Sequence, residues 1–233
     1  MVRAIFFLLL FVPFTLFIIF TGVPITFLDP TGRFLHNYGK FWGRVALFLA
    51  GATVKVSGLE KIPDGVPVIF MGNHQSNFDI LSLYAGLPRH FSWIAKEELF
   101  RIPLFGYAMK RAGYLPLDRS DGRRALKTME SAAEKIRGGV SVVIFPEGTR
   151  SMDGNLLPFK RGGFLLAARA GVPIVPFTIN GSARVNPAKR LVVHPGTIAI
   201  AFGDPIPTGG ATGKKRDELI DRVREAIERG LES

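Results

Sequence analysis

Between Arg3 and Asp29 the chain carries no charged side chain, and residues 4–20 are nearly all phenylalanine, leucine and isoleucine. A helix apolar on every face argues for a lipid environment and leaves a buried core helix as the weaker alternative. About 20 apolar helical residues cross a bilayer core, so length alone admits a span. A second apolar piece, residues 45–50, is too short to span. It follows Arg33, Tyr38, Lys40, Trp42 and Arg44, residue types suited to an interface rich in lipid phosphate. Three readings compete: a transmembrane span, a cleaved signal peptide, and a hairpin that dips into one leaflet. The run is long for a signal peptide, and no Ala-x-Ala follows it. Pro13 and Pro24 should kink or end helices. Two membrane-associated helices, over residues 4–27 and 32–50, fit the pattern better than one straight span.

Past Gly51 short apolar runs alternate with amphipathic stretches. Strands are expected over residues 53–57, 66–70, 91–95, 114–117, 140–145, 174–179, 191–193 and 197–202. Helices are expected over 77–85, 103–112, 123–137, 162–170 and 214–231, with Asn77 as an N-cap and 209–213 as a linker. Residues 140–145 are apolar throughout, as in a strand buried on both faces. Ala125, Met129, Ala132, Ala133 and Ile136 give the 123–137 helix one apolar face, and Gly138-Gly139 ends it. This order predicts an α/β fold: a mixed, largely parallel sheet flanked by helices, preceded by an N-terminal hydrophobic two-helix membrane motif. Residues 1–50 form the membrane-associated segment and 51–233 the α/β domain in this reading.

Composition narrows the partners. Thirty lysines and arginines against 19 acidic residues give a formal charge of +11, which calls for an anionic partner. The hydrophobic N-terminus points that charge toward an anionic phospholipid membrane. The basic residues lack the aromatic-basic pattern of a nucleic-acid binder, so no nucleic acid is expected. The absence of cysteine excludes disulfides, thiolate metal sites and a cysteine nucleophile. The other histidines lack ligand-like spacing around His74, so no metal is expected.

The chemistry sits at strand ends. His74 and Asp79, in Asn73-His74-Gln75-Ser76-Asn77-Phe78-Asp79, could form a general base and the carboxylate that orients it. Positions five apart lie about 140° apart around a helix, so the pair meets only if the chain turns at residues 75–77. With nine aspartates in the chain such a pair arises readily by chance, and a capping Asp beside an ordinary loop histidine is the plain alternative. Phe145-Pro146-Glu147-Gly148-Thr149-Arg150-Ser151 directly follows the most apolar strand. Its Arg150 could grip a phosphate, and Glu147 could hold that arginine or a substrate hydroxyl. Lys96 and Arg119 follow two further extended segments. If the sheet is parallel, these ends converge on one edge, as sites do in open α/β sheets.

Together these segments resemble the glycerolipid acyltransferase family. Asn-His-Gln-Ser-Asn-Phe-Asp matches its His-x4-Asp motif. Lys96-Glu97-Glu98-Leu99-Phe100 with Pro103 and Gly106, then Gly113 to Arg119, Phe145 to Ser151, and Val172-Pro173-Ile174-Val175-Pro176 follow in family order. The likeness is greatest to the bacterial members that act on 1-acyl-sn-glycerol-3-phosphate. The resemblance implies acyl transfer from acyl-CoA or acyl-carrier protein to the sn-2 hydroxyl of lysophosphatidic acid, giving phosphatidic acid. It implies His74 and Asp79 as the catalytic pair and Lys96, Arg119, Glu147, Gly148, Thr149 and Arg150 as substrate-binding residues, with no cofactor beyond the acyl co-substrate. The setting it implies is a cell inner membrane or plasma membrane, with the catalytic domain on the cytoplasmic face. Glycerol-3-phosphate or another lysophospholipid remains an alternative acceptor, and a basic membrane-binding module is the non-enzymatic alternative. No Gly-x-Ser-x-Gly elbow is present, so direct transfer is favoured over an acyl-enzyme.

Overall fold

The computed structural model describes the chain except residues 1, 27, 28, 30, 31, 118–121, 210, 212, 232 and 233, and only the backbone of residues 2, 25, 96, 117 and 122–126. Helix α1 (Val2–Ile25) is about 36 Å long at 1.5 Å per residue. Helix α2 (Arg33–Ala50) runs back along it. Three cross-helix contacts set that antiparallel register: Arg3 donates to the Ala50 carbonyl (3.0 Å), the Trp42 indole to the Thr15 hydroxyl (3.0 Å), and the Thr21 and Tyr38 hydroxyls meet at 2.8 Å. Arg3 thereby also satisfies a carbonyl that the end of α2 leaves open. Residues 3–24 have a mean hydropathy of 2.7 with 11% of the most apolar window buried. Among the described residues this is the one helix long and apolar enough to cross a membrane by length and composition.

The two prolines differ in effect. Pro13 does not end α1, which runs on through it, whereas α1 ends at Ile25, one residue past Pro24, as expected there. A proline removes one intrahelical donor. Aromatic packing holds α1 on both sides of Pro13: Phe7 lies against Phe78, Phe11 stacks on Trp42, and Phe14 meets Phe41 edge-on.

Helix α2 in turn lies on α3 (Phe78–Gly86) at very close range. A Cβ on Gly39 would sit 2.7 Å from the Tyr84 ring, and one on Gly43 would sit 2.8 Å from the Leu81 carbonyl. Spaced four apart, these glycines share one helix face and let the two backbones approach.

The remainder is a seven-stranded sheet of β1 (Ala52–Ser57), β2 (Ile69–Gly72), β3 (Ser92–Lys96), β4 (Leu115–Leu117), β5 (Val142–Ile144), β6 (Ile174–Asn180) and β7 (Gly196–Phe202), in the order β1-β7-β6-β2-β5-β3-β4. Every neighbouring pair is parallel except β6 and β7, so the mixed, largely parallel sheet expected from the sequence is what forms. The strand period of two deals side chains to two cores. Phe70, Val143, Val175 and Phe177 face a core shared with α1, α2 and α3. Ile69, Met71, Val142, Ile144 and Ile174 face a second core. That core is closed by α5 (Gly122–Arg137), α6 (Arg161–Ala170) and α8 (Lys214–Glu228), through residues such as Ile136, Phe164 and Val223. Burial on both faces explains why β2, β5 and β6 read as continuous apolar runs.

The shorter helices are α4 (Phe105–Arg111) and a one-turn α7 (Ser182–Val185), the latter not expected. Residues 191–193 were expected as a strand and are a loop. The Asn186 amide donates to the carbonyls of Arg190 (3.3 Å) and Val192 (2.8 Å), which occupies acceptors that a ladder would need. The apolar side chains there serve a cavity instead.

Candidate active site

β2 ends at Gly72, a position that takes glycine because a Cβ there would lie 2.2 Å from the ring of Phe177 on β6. The next residue, Asn73, is buried and pairs with the Ile179 backbone both ways, donating to its carbonyl (2.8 Å) and accepting from its N–H (2.7 Å). This double bond pins the chain at the sheet edge just where it begins to turn.

The turn brings His74 and Asp79 together. His74 Nδ1 is 2.7 Å from Asp79 Oδ2. The same oxygen accepts the backbone N–H groups of Gln75 (2.7 Å) and Ser76 (2.8 Å). Asp79 is fully buried, whereas the His74 side chain is 14% exposed. Two backbone donors and one imidazole fix the carboxylate, so it in turn fixes the ring. With Nδ1–H donated to Asp79, Nε2 is the free lone pair of the neutral tautomer. The ring also stacks on Phe145 with centroids 4.0 Å apart and planes 7° from parallel. Asn77, expected as the N-cap, makes no capping bond. The Ser76 hydroxyl accepts the Phe78 N–H (3.1 Å) in its place, which leaves the Asn77 side chain for another partner.

That partner is Arg150, whose Nη1 donates to Asn77 Oδ1 at 2.7 Å. Glu147 does not pair with Arg150. It is 2% exposed, and its two oxygens accept the backbone N–H groups of His74 (2.7 Å) and Leu157 (2.9 Å). Burial pushes its carboxyl up from the usual 4.5, against the opposing pull of those two donors. The Ser151 N–H closes the bracket by donating to the His74 carbonyl at 2.8 Å. Glu147 and Ser151 therefore hold the histidine backbone from both sides.

β2 and β5 are adjacent and parallel, so His74 and Glu147 emerge from the same sheet edge, with the end of β3 beyond them. Lys96 closes β3 on that edge, and its side chain is outside what the structure describes. Arg119 lies outside the described residues. Gly148 has φ +69°, and Lys160 Nζ stands 3.0 Å from where its Cβ would be, so this turn takes glycine for conformation and for space. Thr149 is exposed. The sequence pattern did not single out Asn73, Ser76, Asn77 or Lys160 for these positions. The first three lie within the seven-residue motif itself, which was the signal available for them.

Beside the turn opens a cavity of about 280 Å³. Its apolar wall comes from α1 (Ala4, Phe7, Leu8 and Phe11) and from Phe78 and Leu81. Its polar lining comes from Asn77, Arg150, Asn186, Lys189 and Arg190, and residues 191–193 complete the wall.

Known proteins resemble this chain in sequence and fold. The family profile described as Acyltransferase matches residues 53–180. A chloroplastic 1-acyl-sn-glycerol-3-phosphate acyltransferase of Brassica napus is 36% identical over 211 residues, covering 89% of this chain and 59% of that protein. The human 1-acyl-sn-glycerol-3-phosphate acyltransferase beta is 32% identical over 197 residues, covering 84% of this chain and 68% of that one. The chain spans 53–61% of the length of the three plant and algal relatives it matches. The crystal structure of the 1-acyl-sn-glycerophosphate (LPA) acyltransferase from Thermotoga maritima superposes with a TM-score of 0.80 at 30% identity, covering 98% of this chain and 93% of that one.

Proposed function

The chain belongs to the acyltransferase family, and from that premise we propose that it transfers a fatty acyl group from acyl-CoA or acyl-carrier protein to the sn-2 hydroxyl of lysophosphatidic acid, giving phosphatidic acid. The observation that carries the reading is the His74–Asp79 pair, 2.7 Å apart with the carboxylate fixed by two backbone donors. The His74 Nε2 lone pair takes the proton of the acceptor hydroxyl as its oxygen bonds to the thioester carbonyl carbon. Asp79 steadies the imidazolium so formed. The tetrahedral intermediate then expels the thiolate, and the imidazolium returns its proton to that sulfur. The ester forms, the thioester breaks, and no net proton is consumed. A chain without cysteine has no thiol to hold the acyl group between these steps.

Arg150, oriented by Asn77, suits the phosphate of the acceptor, and Lys96, Arg119, Gly148 and Thr149 belong to the same substrate site in this reading. The apolar wall from α1 suits a fatty chain. The outer face of the hairpin supports membrane seating: Phe6, Leu9, Phe17 and Phe20 of α1 and Phe48 of α2 are each more than half exposed. A hairpin in the cytoplasmic leaflet of the inner or plasma membrane would let lysolipid reach the cavity sideways. An acyl-transfer assay tests the reading directly, with lysophosphatidic acid and glycerol-3-phosphate as acceptors and CoA and carrier-protein thioesters as donors. Phosphatidic acid from lysophosphatidic acid is the expected product. Turnover of glycerol-3-phosphate alone would reassign the acceptor.

A further inference from the structure

The loop of residues 186–193 lies beyond the segment that the family profile matches, yet it builds one wall of the cavity beside the catalytic turn. It is tied to that turn directly. The Ser76 hydroxyl donates to the Asn186 carbonyl at 2.7 Å, and the Asn186 amide in turn holds the carbonyls of Arg190 and Val192. Lys189 has φ +60°, a conformation that residues with a Cβ rarely adopt and that tends to occur at ligand clamps. Three cations, Arg150, Lys189 and Arg190, line one cavity whose lining contains no aspartate or glutamate. Among the described residues none of the three has a carboxylate partner, and Arg150 is held by a neutral amide. Positive charge without a carboxylate partner, in a cavity that also has an apolar wall, fits a ligand with a dianionic head and one fatty chain.

We infer that Lys189 and Arg190 form, with Arg150, a phosphate clamp for the lysolipid acceptor, drawn from a loop outside the matched family segment. The inference rests on the acceptor named above and deepens it: the clamp sets the requirement for a phosphate monoester on the acceptor. Arg150 approaches from the β5 loop and the basic pair from the loop anchored on Ser76, so a bound phosphate would also fix the lipid relative to the histidine turn. The phosphates of a CoA donor offer the same chemistry, and kinetics separates the two sources.

The test compares wild type with the Lys189→Gln/Arg190→Gln double variant in phosphatidylcholine micelles, varying lysophosphatidic acid and acyl-CoA in turn. Both side chains are exposed, so the fold tolerates the change. Loss of two charge-assisted contacts should raise the acceptor KM about 10- to 100-fold, with donor KM and kcat moved by less than about threefold. Lys189→Arg/Arg190→Lys should keep an acceptor KM near wild type. The clamp is overturned if the acceptor KM stays within about twofold of wild type. It is also overturned if the rise is confined to acyl-CoA, or if weaker binding to phosphatidylglycerol vesicles accounts for the whole loss. If the wild type forms no phosphatidic acid from lysophosphatidic acid, the functional reading falls and the clamp with it. If the wild type is active and only the KM prediction fails, the clamp alone falls.

Discussion

Glu147→Gln separates two roles that a glutamate in this motif can play. In the structure one carboxylate oxygen accepts the His74 N–H at 2.7 Å and the other the Leu157 N–H at 2.9 Å. An amide keeps one acceptor but turns an NH2 toward the other backbone donor, so one charge-assisted bond is lost and a buried N–H is left unpaired. Such a loss is worth about 1.5–3 kcal/mol. For a chain of this size each kcal/mol moves Tm by about 2–4 °C, so the variant should melt about 3–12 °C lower. Because the bond at risk fixes the His74 backbone, kcat should fall while the acceptor KM holds. The pH dependence has a definite sign. Burial holds the folded-state pKa of Glu147 above 4.5, so its contribution to stability is complete below that value and declines as pH rises through the raised pKa. The decline over that window should be absent from Glu147→Gln. Thermal melts across pH with parallel kinetics measure all of this. An unchanged Tm together with a raised acceptor KM would refute the positioning role and make Glu147 a substrate ligand.

Asn73→Ala breaks both bonds to Ile179 in a buried setting, and should cost about 2–4 kcal/mol by denaturant unfolding; a cost below about 1 kcal/mol would show that the turn is not pinned there. Arg150→Ala should raise the acceptor KM more than the donor KM, by about tenfold for one charge-assisted contact, in steady-state assays varying each substrate; an effect on the donor alone would remove Arg150 from the phosphate site.

Periodicity carries most of the fold, because each strand and helix states its own burial. The apolar runs at β2, β5 and β6 are apolar since both sheet faces are covered, and α1 is apolar all round. Misreadings arise where a distant residue decides the local outcome. Leu191-Val192-Val193 has strand chemistry, but the Asn186 amide takes the Val192 carbonyl and that of Arg190 just before it. Asn77 stands at the N-cap position as expected, but Ser76 takes the Phe78 N–H and Arg150 claims the Asn77 amide oxygen. Pro13 tends to break a helix in isolation, but α1 continues through it and packs its aromatic rings on α2 and α3. The same distinction runs through the site. His74 and Asp79 are close in sequence, so their meeting needed only a turn. The grip of Glu147 on the His74 backbone spans 73 positions and exists only because β2 and β5 are neighbours. The cavity needs α1, α3 and the 186–193 loop at once, which no local pattern announces.

The most direct test of the central claim is the single-turnover rate of acyl transfer to lysophosphatidic acid by His74→Ala, with folding checked by its melting curve. If His74 is the base that deprotonates the acceptor, the rate should drop by about 10²- to 10⁴-fold in a protein that still melts cooperatively. A folded His74→Ala protein that transfers acyl groups at close to the wild-type rate would contradict the account.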